Sequence, residues 1–181
     1  MKKILIIYSK TGGGHLSLAL ALKDALSDLS IVKCQLSIVL FDPFPKIYAS
    51  GYKTVGANFQ ESWGKNFHLT NRPELAKVMH NLNDVVVNRK LTKIIRKENP
   101  DVVITTHFFA SLELEKAIKK VGSKAKIVVA VADPFTPHAV WFTYKNADLY
   151  LSPTKEVTQL MIENGINEDK IKTTGWLVRQ E

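Results

Sequence analysis

Short apolar runs alternate along the chain with longer segments whose apolar residues recur at helical spacing. Residues 4–8, Ile-Leu-Ile-Ile-Tyr, form a run typical of a buried strand, and residues 15–29 have the period of a helix. The same reasoning predicts strands at 31–41, 100–106, 126–132, 148–151 and 170–174, and helices at 73–99, 112–121 and 154–164. This alternation predicts an α/β fold, a doubly wound parallel sheet with helices on both faces.

Composition and length describe an ordinary globular chain. It has 181 residues, of which 45% are hydrophobic and 23% charged, enough for one domain with a sizeable core. Its only cysteine, Cys34, excludes a disulfide framework and favours a reducing compartment. No apolar run is long enough for a signal peptide or a membrane span, so we expect a cytoplasmic protein.

The net charge of +8 predicts a negatively charged partner, such as nucleic acid, anionic lipid or a phosphorylated substrate. Five basic residues fall on the predicted solvent-facing side of a helix. The opposite side carries an apolar stripe of Leu82, Val85, Val86, Leu91, Ile94 and Ile95. The basic residues are Arg89, Lys90, Lys93, Arg96 and Lys97. Such a face is usually only solvated, but it can also rest on an anionic bilayer. No nucleic-acid-binding signature accompanies it, so a nucleic-acid partner is not predicted.

The first predicted strand leads into Gly12, Gly13, Gly14 and His15, which open a helix. Glycines allow a positive φ and a close approach of backbone to ligand, and the first amides of a helix attract anions. A histidine at a helix N-terminus is shifted toward its neutral form and can act as a base. The run is neither a dinucleotide fingerprint nor a phosphate loop, and many α/β proteins need glycine here only to turn.

Polar side chains follow several of the predicted strands. Ligands in such folds bind beyond the carboxyl ends of the strands. His15, Asp42, Thr105, Thr106, His107, Asp133, His138 and Trp141 all fall at this edge. Their convergence predicts an active site. Zinc ligation is not favoured, because the histidines lack metal-motif spacing, and no metal is predicted.

An aromatic segment follows the second strand. Phe41, Phe44, Tyr48, Tyr52, Phe59 and Trp63 are interleaved with lysines, glycines and polar residues, without strand alternation. Two interpretations stay open. The aromatics pack onto the core, or they form a partly exposed surface that meets lipid.

These motifs, in this order, resemble a known family. They are Thr11–His15, Asp42, the aromatic segment, Asn99–His107, Val131–Asp133 with His138 and Trp141, Leu151–Pro153, and Lys172–Gly175 with Val178 and Arg179. Together they resemble the N-terminal acceptor domain of the monogalactosyldiacylglycerol synthase and processive diacylglycerol glucosyltransferase family. The resemblance implies half of a GT-B glycosyltransferase, which has two facing Rossmann-like domains, inverts the sugar carbon, and needs no cofactor besides its nucleotide-sugar (UDP-sugar) donor.

The resemblance also implies roles for individual residues. His15 would remove the proton of the diacylglycerol or glycolipid hydroxyl, with Asp133 as the second catalytic residue. The acceptor would be bound by Gly12, Gly13, Gly14, Asp42, His107, His138 and Trp141. Phe44, Tyr48, Tyr52, Phe59 and Trp63 would contact an anionic membrane surface, at the inner face of the cell membrane.

The resemblance implies a domain division as well. Residues 1–175 would form the acceptor domain, and 176–181 would begin a linker to a donor-binding half on the same or a separate chain. Trp176 and Leu177 depart from the family pattern. Without a donor-binding half, we expect little or no sugar transfer. Two alternatives remain, a non-catalytic lipid-docking module and a soluble phosphate- or nucleotide-binding domain.

Overall fold

The protein is described by a computed structural model, which covers residues 2–10, 13–32, 35–45, 71 and 84–178. Within these residues, six strands form one parallel sheet. They are β1 (Lys2–Ile7), β2 (Leu36–Phe41), β3 (Val102–Thr105), β4 (Lys126–Ala130), β5 (Leu149–Ser152) and β6 (Ile171–Thr173). The helices are α1 (Gly13–Val32), α2 (Asp84–Glu98), α3 (Ala110–Val121) and α4 (Lys155–Glu163), with 3₁₀ turns at Ala139–Phe142 and Glu168–Lys170.

The strand order is β2-β1-β3-β4-β5-β6, so β1 and β3 are neighbours although the chain visits β2 between them. Ile4 pairs with Val102 and Ile7 with Thr105 across this junction. Because crossover connections are right-handed, the reversal of direction after β2 places α1 on one face of the sheet and α2 to α4 on the other. The predicted doubly wound parallel fold is confirmed. In such a fold the carboxyl ends of β1 and β3 border the crevice where ligands bind.

The core lies between the sheet and its helices. The β1 residues Leu5, Ile6 and Ile7 are fully buried, which explains why the strand reads as a continuous apolar run. Leu91 of α2 and Leu114 of α3 are also fully buried, and these two helices pack on each other. Burial of this kind is the dominant favourable contribution to folding.

Several predicted boundaries were wrong. Ile31 and Val32 end α1 and do not begin β2, because an apolar pair fits a helix as well as a strand when periodicity alone is considered. Val86 was placed on the buried stripe of α2 but is 51% exposed, whereas its neighbour Val87 is buried. Leu82 and residues 73–83 of the predicted helix lie outside the described residues.

The expected positive φ of the glycine turn is not found at Gly13 or Gly14. Both are the first residues of α1, and the glycines with positive φ in the described chain are Gly122, Gly165 and Gly175. Gly122, at φ 66°, ends α3 in the left-handed conformation that glycine adopts without a Cβ penalty. Gly12 lies outside the described residues.

Candidate active site

His15 and Thr106 meet where the strand order reverses. His15 lies in the first turn of α1, just beyond β1, and Thr106 directly follows β3. The Nδ1 atom of His15 lies 2.6 Å from the main-chain carbonyl oxygen of Thr106. The Thr106 hydroxyl donates back to the main-chain carbonyl of His15 at 2.9 Å. Two hydrogen bonds therefore join the start of α1 to the end of β3, at the crevice expected to hold a ligand.

The bond to Thr106 determines which nitrogen of His15 carries the proton. A carbonyl oxygen only accepts hydrogen bonds, so Nδ1 is the donor. Burial lowers the pKa of His15, while the nearby Asp133 carboxylate and the Thr106 carbonyl act in the opposite direction without reversing the shift. The neutral imidazole therefore carries its proton on Nδ1 and a lone pair on Nε2. A partly buried imidazole in this state can accept a proton at Nε2.

Aromatic rings surround the imidazole of His15. Its centroid lies 4.4 Å from that of His107, 5.9 Å from that of Phe108 and 6.1 Å from that of Trp141. His107 is 4% exposed and its Nδ1 accepts from the main-chain N–H of Phe109 at 3.3 Å. His107 thus packs beneath His15, and its predicted contact with an acceptor stays a prediction.

Asp133 and Trp141 form a second pair at the same edge. The indole Nε1 of Trp141 donates to Oδ2 of Asp133 at 2.5 Å. Burial also lowers the pKa of His138, and Asp133 again opposes the shift. Nδ1 of His138 accepts from the main-chain N–H of Val140 and caps the 3₁₀ turn that carries Trp141. One carboxylate thus faces two imidazoles that are held toward their neutral forms.

Asp42 and Phe44 belong to the turn after β2. The Asp42 carboxylate accepts from the main-chain N–H groups of Lys10, at 3.3 Å, and Phe44, at 3.0 Å. This turn directs Phe44 inward, where it is 7% exposed and its ring centroid lies 4.4 Å from that of His107. Phe44 therefore packs in the core, which does not favour its predicted membrane contact, and that contact stays a prediction. Tyr48, Tyr52, Phe59 and Trp63, predicted for the same role, lie outside the described residues.

The glycines leave the helix terminus open. A Cβ placed on Gly13 or Gly14 would meet nothing within 4 Å. A small apolar groove with a cavity volume of about 10 Å³, room for about one water molecule, begins at Leu18, one helical turn beyond His15. Its other lining residues are Ala130, Val131, Leu151, Pro153, Thr174, Gly175 and Leu177. Beyond the groove, the exposed rings of Phe135 and Trp176 meet edge to face with centroids 6.3 Å apart.

The predicted basic side of α2 lies on the surface. Arg89, Lys93, Arg96 and Lys97 are exposed and Lys90 is partly exposed. In the part of the chain that the structure describes, no helix is long and apolar enough to cross a membrane. Within the same residues, no cluster of three or more histidine, cysteine or acidic side chains is arranged to hold a metal ion.

Sequence reasoning missed two features of this site. Phe108 meets both Trp141, with centroids 5.4 Å apart, and His15 edge to face. Its position directly after His107 was the available signal, since the residues that follow a strand at this edge belong to the crevice. Thr106 was predicted to lie at this edge but without a role, because a hydrogen bond to a main-chain carbonyl, such as that from His15 to Thr106, has no sequence signature.

With this geometry established, comparisons with known proteins identify the family. The family model described as monogalactosyldiacylglycerol (MGDG) synthase matches residues 15–178. The chain belongs to this family. Probable chloroplastic monogalactosyldiacylglycerol synthases of Nicotiana tabacum and Glycine max are 25% and 27% identical to it over 98% of the chain and 34% of their own length. The processive diacylglycerol beta-glucosyltransferase of Bacillus cytotoxicus is 25% identical over 98% of the chain and 45% of its length.

The chain thus spans between a third and a half of the length of these curated relatives, and it corresponds to their N-terminal part. Solved structures share its fold. The apo lipopolysaccharide outer core galactosyltransferase WaaB superposes with a TM-score of 0.56 at 15% identity, over 96% of this chain and 45% of that one. The Staphylococcus aureus MnaA–UDP structure gives 0.55 at 16% identity, over 94% and 43%. Both likenesses show the fold alone, a Rossmann-like α/β architecture.

Proposed function

We propose that this chain is the acceptor-binding side of a membrane-associated glycosyltransferase. The complete enzyme moves a hexose from a UDP-sugar to diacylglycerol or a glycolipid, with inversion at the sugar carbon. The observation that carries the proposal is the state of His15, a partly buried, neutral imidazole whose Nδ1 is occupied and whose Nε2 keeps a lone pair. Family membership supports a glycosyltransferase acting on diacylglycerol.

The chemistry follows from this state. Nε2 of His15 accepts the proton of the acceptor hydroxyl while the hydroxyl oxygen forms a bond to the anomeric carbon. The bond from that carbon to the diphosphate breaks, and the diphosphate leaves with the electron pair. A single displacement of this kind inverts the carbon. His15 becomes an imidazolium, which the nearby Asp133 carboxylate stabilises, since that carboxylate acts to raise the pKa of His15.

The rest of the proposal concerns surfaces and domains. The exposed basic side of α2 supports contact with anionic lipid. Residues 1–175 are proposed as the acceptor domain, and 176–181 as the start of a linker to a donor-binding half on the same or a separate chain. That half would supply the UDP-sugar site, so the chain alone transfers little or no sugar.

The test joins binding and transfer. The chain is placed in the Bacillus cytotoxicus relative in place of the matched region, and transfer from labelled UDP-sugar to diacylglycerol vesicles is measured. We expect His15→Ala to lower kcat by about 10²- to 10⁴-fold, the usual contribution of a general base. The matched control is Glu168→Gln on the exposed second 3₁₀ turn, for which we expect no change.

Vesicle sedimentation across a salt series tests the membrane proposal on the chain itself. Binding to anionic vesicles is expected to weaken as ionic strength rises, because salt screens exposed charges. Absence of transfer, together with vesicle binding that is unchanged by His15→Ala, would instead indicate a non-catalytic docking module. Absence of both transfer and vesicle binding would contradict the proposal.

A further inference from the structure

The main-chain carbonyl of Thr106 accepts from His15, so the position of His15 depends on how firmly Thr106 is held. Thr106 is 0% exposed, and its main-chain N–H donates to the Ile7 carbonyl at 2.9 Å, extending the pairing of β3 with β1. Its hydroxyl donates to the His15 carbonyl at 2.9 Å. The side chain of Thr106 thus binds the main chain of His15, and the main chain of Thr106 binds the side chain of His15.

From this reciprocal pair we infer that Thr106 is the positioning residue of the base: its hydroxyl fixes the peptide whose carbonyl keeps the His15 proton on Nδ1 and leaves Nε2 free for the acceptor hydroxyl. The inference deepens the proposed function and rests on it for the role of His15. The protonation state of His15 does not depend on the proposed function, because it is a property of the protein without substrate.

The chemistry requires such a device. A neutral imidazole can carry its proton on either nitrogen, and the partner of one nitrogen decides which form is present. Asp133 is engaged by the indole of Trp141, whereas the contact at Nδ1 of His15 is a neutral carbonyl. The ring is therefore oriented without a carboxylate at Nδ1, and its orientation depends on how firmly the turn after β3 is held.

The decisive measurement is the tautomer of His15 by nuclear magnetic resonance, using the whole chain labelled with ¹³C and ¹⁵N at histidine. In the unsubstituted protein we expect the form protonated at Nδ1. Thr106→Val keeps the shape of the side chain but removes the donor. Loss of one hydrogen bond is expected to shift the ratio of the two tautomers by about 3- to 10-fold toward the form protonated at Nε2. Thr106→Ser, which keeps the hydroxyl, is expected to restore the original ratio.

A matched control separates positioning from general destabilisation. Thr92 is 7% exposed on α2, and its hydroxyl donates to the Asn88 side chain at 3.4 Å. Thr92→Val is expected to lower thermal stability without moving the His15 tautomer. In the transfer assay, Thr106→Val is expected to lower kcat by a similar factor of about 3 to 10 and to leave the KM for lipid unchanged.

Two results would overturn the inference. One is a His15 protonated mainly at Nε2 in the unsubstituted protein, and the other is a tautomer ratio in Thr106→Val equal to that in Thr106→Ser. If Thr106→Val does not fold, Thr106→Cys decides, since its thiol is similar in size and a weaker donor. An unchanged ratio there also overturns it. A correctly protonated His15 in a protein that transfers no sugar would count against the proposed function and leave the positioning role standing.

Discussion

The two edges of the sheet use ionisable side chains in opposite ways. At the amino edge, Asp101 directly precedes β3. Its carboxylate accepts from the main-chain N–H of Lys3, on the neighbouring β1, and from the Lys2 ammonium at 2.9 Å. Asp148 precedes β5 and accepts from the Ile127 amide of β4, and from the Lys126 ammonium at 2.8 Å. The same device thus joins two pairs of neighbouring strands.

Charge is kept at this amino edge. The amide of Lys3 and the ammonium of Lys2 lower the pKa of Asp101. Burial on its own would raise the pKa of Asp148, but the hydrogen bonds from Lys126 and Ile127 outweigh it and the pKa is lowered. A lowered pKa in an acid favours the ionised form.

At the carboxyl edge the pKa values of His15 and His138 are also lowered, but there the cause is burial. A lowered pKa in a base favours the neutral form, which is the form able to accept a proton. The two edges therefore differ in the solvent exposure of their ionisable side chains. Side chains that keep water and an opposite charge fix strand pairing, whereas the imidazoles partly buried among aromatic rings are held in the neutral form.

The largest effect should come from removing an aromatic ring at the carboxyl edge. Phe44→Ala takes a buried ring from against His107, and loss of such a side chain costs about 3–5 kcal/mol of unfolding free energy. Phe135→Ala is the matched control, because that ring is 71% exposed and its loss should change stability by no more than about 0.5 kcal/mol. Urea unfolding measures both. Unchanged stability of Phe44→Ala with loss of vesicle binding would instead support Phe44 as a membrane contact.

A change of pH should separate the two edges. His15 and His138 have lowered pKa values when folded and titrate near 6.5 when unfolded, so below about pH 6.5 the unfolded chain binds more protons. Their contribution to stability is complete above pH 6.5 and falls as the pH falls toward the folded values. The carboxylates of the amino edge lose their contribution only below about pH 4, their unfolded pKa.

Urea unfolding between pH 7.5 and pH 5 measures this contrast. The free energy of unfolding should fall with pH in the unsubstituted protein. The fall should be smaller in the double variant His15→Gln, His138→Gln, whose side chains do not titrate. An equal dependence on pH in both proteins would show that burial does not hold these imidazoles neutral.

Much of the fold was predictable because buried parallel strands and their helices leave strong local patterns. β1, β3 and β4 each contain a run of buried apolar residues, and Thr154 caps α4 through its hydroxyl, which accepts from the Val157 amide at 3.2 Å. The start of β2 was not predictable, since Ile31 and Val32 suit either structure and the end of α1 depends on contacts distant in sequence.

The site was predictable to the extent that topology determines it. The carboxyl ends of parallel strands lie at one edge of the sheet, so the sequence was enough to predict that His15, Asp133 and Trp141 lie close together. The inward direction of Phe44 and the bond from Nδ1 of His15 to Thr106 could not, because both depend on main-chain geometry in turns.

The smallest effect should come from neutralising a carboxylate at the amino edge. Asp148→Asn keeps an oxygen for the Ile127 amide but loses the attraction to the Lys126 ammonium, and exposed ion pairs contribute little. We therefore expect a loss of stability that is a small fraction of that for Phe44→Ala and that shrinks further at high salt, where exposed charges are screened. Asp28→Asn, at an exposed position of α1, is the control for removing one negative charge from a basic protein. Urea unfolding at low and high salt measures both variants. A large, salt-independent loss for Asp148→Asn would mean that the amino edge, too, depends on burial, and the contrast between the two edges would then fail.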